Sequence, residues 1–483
     1  MHLELLENGS DSKFIFVIDD YDPLDKIPYE LIRHSKDLMP YLGHPLVKIP
    51  DFTETFDNYS SFFANGPKEA LNDWGFDVEF VNTSDLYNRG KYDDYLDLYI
   101  EYEDKLQNLM ETITGSRMDS FISITCQNCG NAKTTRINEV TMDKKFGYTC
   151  TTDKQYKGCD HEGKLAIASH DWKLKWRLDW PARQQFLGVT VEPSGKDHSV
   201  AGGSIDTANE IHKSIFQKQG PMLLRYGFIT LKGKKFSGSK GGALPADQIA
   251  SLMPYSAFLY MVYRSDLLKD INFNPQSDEY GTLLDEFDIA RRMWKGEIFD
   301  GRAREVDKLS TAAFLAMTTK EKETQPAKVK FNELVLIHQS SLRRTENTIT
   351  KLQKMGKIPD QTTIAELNDR LPRIEKWIDE LAPESVKFTI LVENKLDIAQ
   401  YWTTEMKDLW LSALTKLDEN FTANDFTSII RALGNENNLS PKEYYLPFYQ
   451  MILNKSNGPN AANLVVALGK EDLISRIKSV SLK

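Results

Sequence analysis

Every cysteine of this 483-residue chain falls between Cys126 and Cys159. The stretch "CQNCG" supplies Cys126 and Cys129, "YTC" supplies Cys150, and "KGCDHEG" supplies Cys159 with His161 close behind. Two pairs of thiolates on separate turns form a tetrahedral cage for a soft cation, and a cage of that kind fixes the path of every loop that contributes to it. The clustering predicts one zinc ion held by Cys126, Cys129, Cys150 and Cys159. Four protein ligands leave no open coordination position, so this zinc reads as structural. The alternative is a set of reduced cysteines, which leaves the clustering unexplained; disulfides are disfavoured in a reducing compartment. Gly130 and Gly158 stand where such knuckles turn tightly.

The rest of the chain is too long for a single core, and about two to four domains are expected. Charged residues make up 27% of it and the formal net charge is -10, which excludes a wholly basic nucleic-acid coat and leaves room for a local basic face. No run approaches the roughly 18 apolar residues a membrane helix needs, and the first residues lack the charged-then-apolar pattern of a signal peptide. A cytoplasmic protein is the expectation.

Hydrophobic periodicity divides the chain in two. In the first third, "KFIFVI", "FDVEFVN" and "SFISITC" read as buried strands separated by helices such as "KEALNDWG" and "YDDYLDLYIEYEDKLQNLMETI". That is the rhythm of a parallel, doubly wound sheet, interrupted by the cysteine-rich insert. After the insert come "KLKWRLDW", read as an alternating strand, and "FLGVTVEP"; then Gly202, Gly203 and Ser204 precede a helical pattern, directing backbone N–H groups beyond the strand ends. From about Pro275 strand-like runs vanish, and "EFDIARRMWKGEIF", "ELNDRLPRIEKWIDELA" and "KDLWLSALTKLDE" carry apolar residues at helical spacing. The polar "TTKEKETQPAKVK" reads as a linker or long loop between helical units.

The stretch "LKGKKFSGSKGGAL" nearly spells a phosphate loop. Gly233 and Gly238 have the right separation, but Ser239 precedes Lys240 and Pro245 follows within a few residues, so it fails as a P-loop opening a helix. Read alone, it is a solvated Gly/Lys turn.

Taken together and in order, "DDYDPLDKIP", "YLGHPLVKIPD", the cysteine pairs ending in "GCDHEG", "KWRLDWPARQQFLGVTVEPSGKDHSVAGGS", "KFSGSKGG" and the tail "SNGPNAANLVVALGKEDLISRI" resemble the archaeal-type class I lysyl-tRNA synthetases nearly end to end. The resemblance implies an α/β plus all-α architecture: a Rossmann-type catalytic domain in residues 1–90 and 171–275, a zinc-bearing connective insertion in 91–170, and a helical stem-contact and anticodon-binding region in 276–483. It implies a lysine–tRNA ligase that uses ATP, Mg2+ and Zn2+ and has lysine and tRNA(Lys) as partners, with no membrane.

Residue by residue, the resemblance makes "KFSGS" the mobile signature loop of class I synthetases, with catalytic roles for Lys235, Ser237, Ser239 and Lys240. Phe236 replaces the usual methionine and Gly238 occupies the fourth place, so the cation role falls to Lys235 and Lys240. Trp176, Trp180, His198 and Tyr226 would form the lysine pocket, and Asp19, Asp20 and Asp22, after the first strand, would attract the substrate ammonium or bind ribose. Without the family, each Trp reads as core and the aspartates equally as turn caps. Lys196, Asp197, Gly202 and Gly203, with Lys235, would line the ATP site. Asp25 stands where the family commonly has arginine, and Gln184 where it has tryptophan.

A second zinc site of many relatives would fall after "IPD". Asp51 survives there, but Thr55, Phe56 and Phe62 occupy the other ligand places, so no second metal is expected. The family's HIGH motif lies upstream of "DDYD", and Met1 begins in the helix that would follow it. The expectation is therefore that this chain, without its first strand and HIGH motif, activates lysine poorly or not at all. A non-catalytic tRNA-binding relative of a class I aminoacyl-tRNA synthetase is the alternative.

Overall fold

The computed structural model describes residues 5–6, 8–141, 144–231, 233–235, 244–297, 301–392 and 398–482. The chain divides into two compact units, one of Met1–Ala250 with Ser265–Asn272 and one of Ser251–Arg264 with Phe273–Lys483.

The first unit is built on strand–helix–strand crossovers. Strand β1 (Ile15–Ile18) pairs in parallel with β2 (Glu79–Asn82), and helix α1 (Tyr59–Asp73) lies between them in sequence. Asn58 caps α1, accepting the Ser61 N–H at 2.9 Å. Helix α2 (Thr83–Asn88) follows β2 without a loop. The long helical pattern after it is two helices, α3 (Asp93–Glu101) and α4 (Glu103–Thr114), broken at Tyr102. Each opens on a pair of acids, Asp93 and Asp94 then Glu103 and Asp104, which favours the positive end of a helix dipole. A left-handed Gly115, φ 79°, ends α4.

Strand β3 (Ile122–Ile124) leads into the cysteine-rich insert, an antiparallel meander of β4 (Thr135–Val140), β5 (Lys145–Cys150) and β6 (Glu162–Ala166). The chain returns through β7 (Trp172–Leu174), antiparallel to β3. A second parallel pair, β8 (Val191–Gly195) and β9 (Met222–Tyr226), closes the unit. Among the described residues no ladder joins β1–β2 to β8–β9. A three-stranded sheet of β10 (Ile229–Leu231), β11 (Lys234–Lys235) and β12 (Ile271–Asn272) follows.

The stretch "KLKWRLDW" departs from its reading as one alternating strand. Its first residues belong to β7, and helix α5 (Trp176–Phe186) begins after Lys175. Trp176 and Trp180 are therefore one helical turn apart, while Leu178 and Ala182 bury the opposite face. Helix α6 (Ser204–Ser214) packs beside it through Ile205, Ala208 and Trp180. The unit's core gathers Tyr87, Tyr92, Tyr99, Leu106, Ile124, Trp172 and Leu178 around the faces of α3, α4 and α5.

The second unit is helical. Helices α7 (Asp278–Trp294), α8 (Phe331–Ser340) and α9 (Gln361–Glu380) meet at a cluster in which Tyr280 stacks on Trp377 at 5.4 Å and Phe331 meets both edge-on. Arg291 grips Glu366 with two bonds of 2.8 Å, so the buried guanidinium has its counter-charge. The polar segment before α8 is not a linker. It contains a short helix, Thr319–Glu323, opened by a Thr318–Glu321 capping box, and buries Thr324, Ala327 and Val329, with Thr324 bonded to Arg291. The five last helices, α10 (Thr404–Thr415), α11 (Ala423–Glu436), α12 (Pro441–Leu453), α13 (Ala461–Leu468) and α14 (Lys470–Lys478), wrap Trp410, which stacks on Phe448 at 4.8 Å and donates to the Tyr444 carbonyl at 2.7 Å.

Candidate functional site

Helix α5 organises the site. Its fourth residue, Asp179, has no solvent exposure, and its carboxylate is saturated by the Tyr87 hydroxyl at 2.6 Å, the Tyr92 hydroxyl at 3.2 Å and the Lys173 ammonium at 3.1 Å. Burial works against its ionisation, but Lys173 and Arg183 outweigh it and hold the carboxyl below the usual range. Each cation then reaches outward. Lys173 bridges to Asp22 at 3.0 Å, and Arg183 to Asp19 at 2.6 Å. Three acids against two bases leave this chain of ion pairs one negative charge in excess, and the two terminal carboxylates are its solvent-facing members, 34% exposed at Asp19 and 50% at Asp22. Desolvation raises the Asp22 carboxyl, Lys173 opposes it, and Asp19 reinforces the rise. An additional cation placed there relieves that strain on the acid.

An aromatic wall adjoins the acids. Trp176 and Trp180 stack at 5.4 Å with their planes 11° apart, and the His198 ring lies 6.0 Å from the first and 5.8 Å from the second. The Arg183 guanidinium sits 5.6 Å from the Trp176 ring, linking wall to acids. Trp180 is buried and donates to Glu192 at 2.9 Å; Gln184 donates to the other Glu192 oxygen and meets His212 at 2.7 Å. Burial pulls His212 down to about 4, so its ring is neutral at pH 7. Gln184, the departure noted after "DWPAR", thus ties α5 to β8 and α6.

Not every expected residue joins this group. Asp20 is fully buried and caps α2, accepting the Ser84 N–H at 2.8 Å and the Thr83 hydroxyl at 3.0 Å, so its carboxylate serves the fold instead of a substrate. Tyr226 ends β9 opposite Gly195, 45% exposed, and among the described residues makes no ring contact with the indoles. Lys196 is held by Asp270 at 2.6 Å and over the Phe228 ring at 4.8 Å, while Asp197 folds its carboxylate back over Gly195. Gly202 and Gly203 precede α6 as expected, but the turn uses their N–H groups itself, Gly202 donating to Asp206 and Gly203 to the Val200 carbonyl. A Cβ on Gly203 would meet the His198 and Val200 carbonyl oxygens at 2.6 Å, so the close turn requires glycine. The backbone of Lys235 pairs with Thr230 in β11, whereas Ser237, Ser239 and Lys240 lie outside the described residues.

The four cysteines converge. All four sulfurs lie within 4.8 Å of one another, with Cys126 and Cys159 at 3.7 Å and Cys129 and Cys150 at 3.6 Å. Those separations are far beyond the roughly 2 Å of a disulfide. They fit the edges of a tetrahedron whose sulfurs each stand about 2.3 Å from a central ion. Thr134 approaches the Cys150 sulfur at 3.1 Å, and Asn128 donates to Cys159 at 3.4 Å, which holds that thiol down at about 7. At Asp51, by contrast, the carboxylate is consumed by its own turn, accepting from the N–H groups of Thr53, Thr55 and Phe56. Burial opposes ionisation there, but these bonds and that of the Thr53 hydroxyl hold Asp51 at about 2, and the Phe56 and Phe62 rings pack together beside it.

Residues 1–318 match the family described as tRNA synthetases class I (K), and residues 370–481 match an anticodon binding domain. The chain belongs to the class I tRNA synthetases. A curated relative from Thermoplasma acidophilum, called lysine–tRNA ligase, is 29% identical over 488 residues, covering 99% of this chain and 90% of the relative. Ligases of the same description from Pyrococcus horikoshii and Archaeoglobus fulgidus are 28% and 27% identical, each covering 98% of this chain and 90% of the relative. The fold is accordingly that of a class I synthetase catalytic domain followed by a helical anticodon-binding domain. No described helix is long and apolar enough to cross a membrane.

Sequence reasoning overlooked Asp179, Lys173 and Arg183. A test of their role is Asp179→Asn, which leaves Lys173 and Arg183 with one carboxylate partner each, Asp22 and Asp19, and weakens the buried hydrogen bonds, and should cost about 1–3 kcal/mol of unfolding free energy in denaturant titrations. The carboxylate's depressed pKa makes its contribution present above roughly pH 4 and lost as the pH falls further, so wild type and variant should converge in stability in acid. An equal gap at pH 7 and pH 3 would mean that the side chain's packing, not its charge, matters.

Proposed function

We propose that the protein is a cytoplasmic lysine–tRNA ligase. In the first step an oxygen of the lysine carboxylate attacks the α-phosphorus of ATP and pyrophosphate leaves, giving lysyl-adenylate. In the second, a hydroxyl of the terminal adenosine of tRNA(Lys) attacks the lysyl carbonyl and AMP leaves. The carboxylate is already ionised at neutral pH, so the first step rests on positioning and electrostatics and needs no general base. The observation that carries the reading is the excess negative charge of the Asp19–Arg183–Asp179–Lys173–Asp22 chain beside the stacked indoles of Trp176 and Trp180. That pairing of acid and aromatic face suits the side-chain ammonium of lysine, and it agrees with the description of the relatives.

In this reading Trp176, Trp180 and His198 wall the lysine, with Tyr226 at the strand end, while Asp19 and Asp22 receive its ammonium. Lys196, Asp197, Gly202 and Gly203 border the nucleotide, and Mg2+ accompanies its phosphates. Lys235, Ser237, Ser239 and Lys240 bring positive charge to the departing pyrophosphate. Cys126, Cys129, Cys150 and Cys159 hold one zinc ion, which supplies a clamp for the insert of residues 91–170. Residues 276–483 bind the stem and anticodon of tRNA(Lys).

Lysine-dependent exchange of labelled pyrophosphate into ATP separates this reading from that of a non-catalytic tRNA-binding relative. Exchange should require lysine, and Lys235→Ala should remove most of it; exchange driven equally by other amino acids would overturn the assignment. For the metal, purified protein should carry about one zinc per chain, with Cys126→Ser reducing that content sharply. Metal-free protein of unchanged melting temperature would remove zinc from the structure.

A further inference from the structure

The acid-bearing run after β1 is held from behind by residues 42–47. The backbone carbonyls of Asp20 and Asp22 accept the N–H groups of Val47 and Leu46 at 2.8 and 2.9 Å, the Leu24 N–H donates to the His44 carbonyl at 2.8 Å, and the Gly43 N–H donates to the Leu24 carbonyl at 2.8 Å. Pro23 and Pro45 face each other across this antiparallel ladder. The backbone on either side of Asp22 is therefore fixed, and with it the point from which the Asp22 side chain starts.

The same segment rests on the first cysteine turn. The Ala132 N–H donates to the Gly43 carbonyl at 2.8 Å, the buried Asn131 amide donates to the Leu42 carbonyl at 2.9 Å, and His44 Nε2 lies 2.7 Å from the Cys129 carbonyl. A carbonyl only accepts, so Nε2 carries the hydrogen of that bond. His44 Nδ1 is buried and, among the described residues, bonds to nothing, which leaves Cys129 as the anchor of the ring's polar edge. The approach is close: a Cβ on Gly43 would fall 2.4 Å from the Asn131 amide oxygen, and one on Gly130 would fall 2.8 Å from His44 Cδ2. The insert reaches the same run again at Asp25, whose carbonyl accepts from Gln155 at 3.1 Å and Tyr156 at 3.2 Å and whose carboxylate pairs with Lys133 at 2.7 Å. The turn that carries two of the cage's sulfurs is thus joined to the backbone of a substrate-facing acid through one intervening segment.

We propose that His44 is a positioning residue that couples the cysteine cage to the ammonium site: the Cys129 carbonyl holds His44, and the ladder behind His44 holds Asp22 where it receives the side-chain amine. The proposal rests on the lysine–tRNA ligase reading and adds to it a link between metal occupancy and amino-acid affinity. Such coupling is reciprocal, so lysine at Asp22 tightens the cage on its ion by the factor by which the ion tightens lysine. The first measurement uses the full wild-type chain loaded with zinc and titrated with a chromophoric chelator. Saturating lysine should raise the chelator concentration that removes half the zinc about tenfold, and norleucine, which lacks the amine, should leave it unchanged. The second uses His44→Phe, which keeps a ring and all four sulfurs but has no donor for Cys129. It should still carry about one zinc per chain, bind lysine about tenfold more weakly and norleucine as before, and lose the effect of lysine on zinc retention; His44→Gln, which restores a donor, should recover most of both. Zinc retention indifferent to lysine in the wild-type protein would overturn the proposal, as would a His44→Phe variant that binds lysine normally or loses lysine and norleucine binding equally. Zinc retention that responds to a different amino acid, and does so only while His44 is present, would support the coupling and overturn the choice of lysine.

Discussion

Asp179 is a charged group placed where water cannot reach it, and the first unit is arranged around meeting that cost. Two tyrosine hydroxyls, one lysine and one arginine converge on it from α2, the segment before α3, β7 and the next turn of α5. A buried carboxylate tolerates only the geometry that satisfies it, so it sets the register of α5 against strand and helices alike. The same two cations carry the constraint to the surface, where they fix Asp19 and Asp22. The acids that face solvent are thus oriented by an acid that does not, and the position of Asp19 relative to Trp176 follows from Arg183, which touches both.

The insert and the turn at Asp51 show two solutions to one problem, holding a short irregular segment without a large core. In the insert, four sulfurs within 4.8 Å of one another provide a cage that an ion can tie together. At Asp51, a single carboxylate gathers three backbone N–H groups while Phe52, Phe56, Phe62 and Phe63 pack edge to face around it. Hydrogen bonds and aromatic contacts together hold that turn.

The cysteine cage was legible in the sequence because ligand type and spacing together leave little else for the residues to do. The strands at "KFIFVI" and "FDVEFVN" and the helical second half were legible from their periods of two and 3.6. "KLKWRLDW" misled for a physical reason: Leu174, Trp176, Leu178 and Trp180 alternate in the sequence, but a strand ends and a helix begins within them, so the period of two has no single surface behind it. Asp179 was invisible because a helical acid is normally a solvated one. Only its partners, 92 and 87 residues away at Tyr87 and Tyr92, distinguish it. Asp20 stood beside Asp19 and Asp22 in one acidic run; burial and the capping of α2 separate it from them, and neither is written in the run itself.

That the excess charge of the ion-pair chain selects an ammonium is tested most directly by calorimetric titration of the protein with lysine and with norleucine, which lacks only the side-chain amine. Lysine should bind at least tenfold more tightly, about 1.4 kcal/mol, and Asp22→Asn should erase most of that difference while leaving norleucine binding unchanged. Equal affinities for the two amino acids in the wild-type protein, or a preference that survives Asp22→Asn intact, would contradict it.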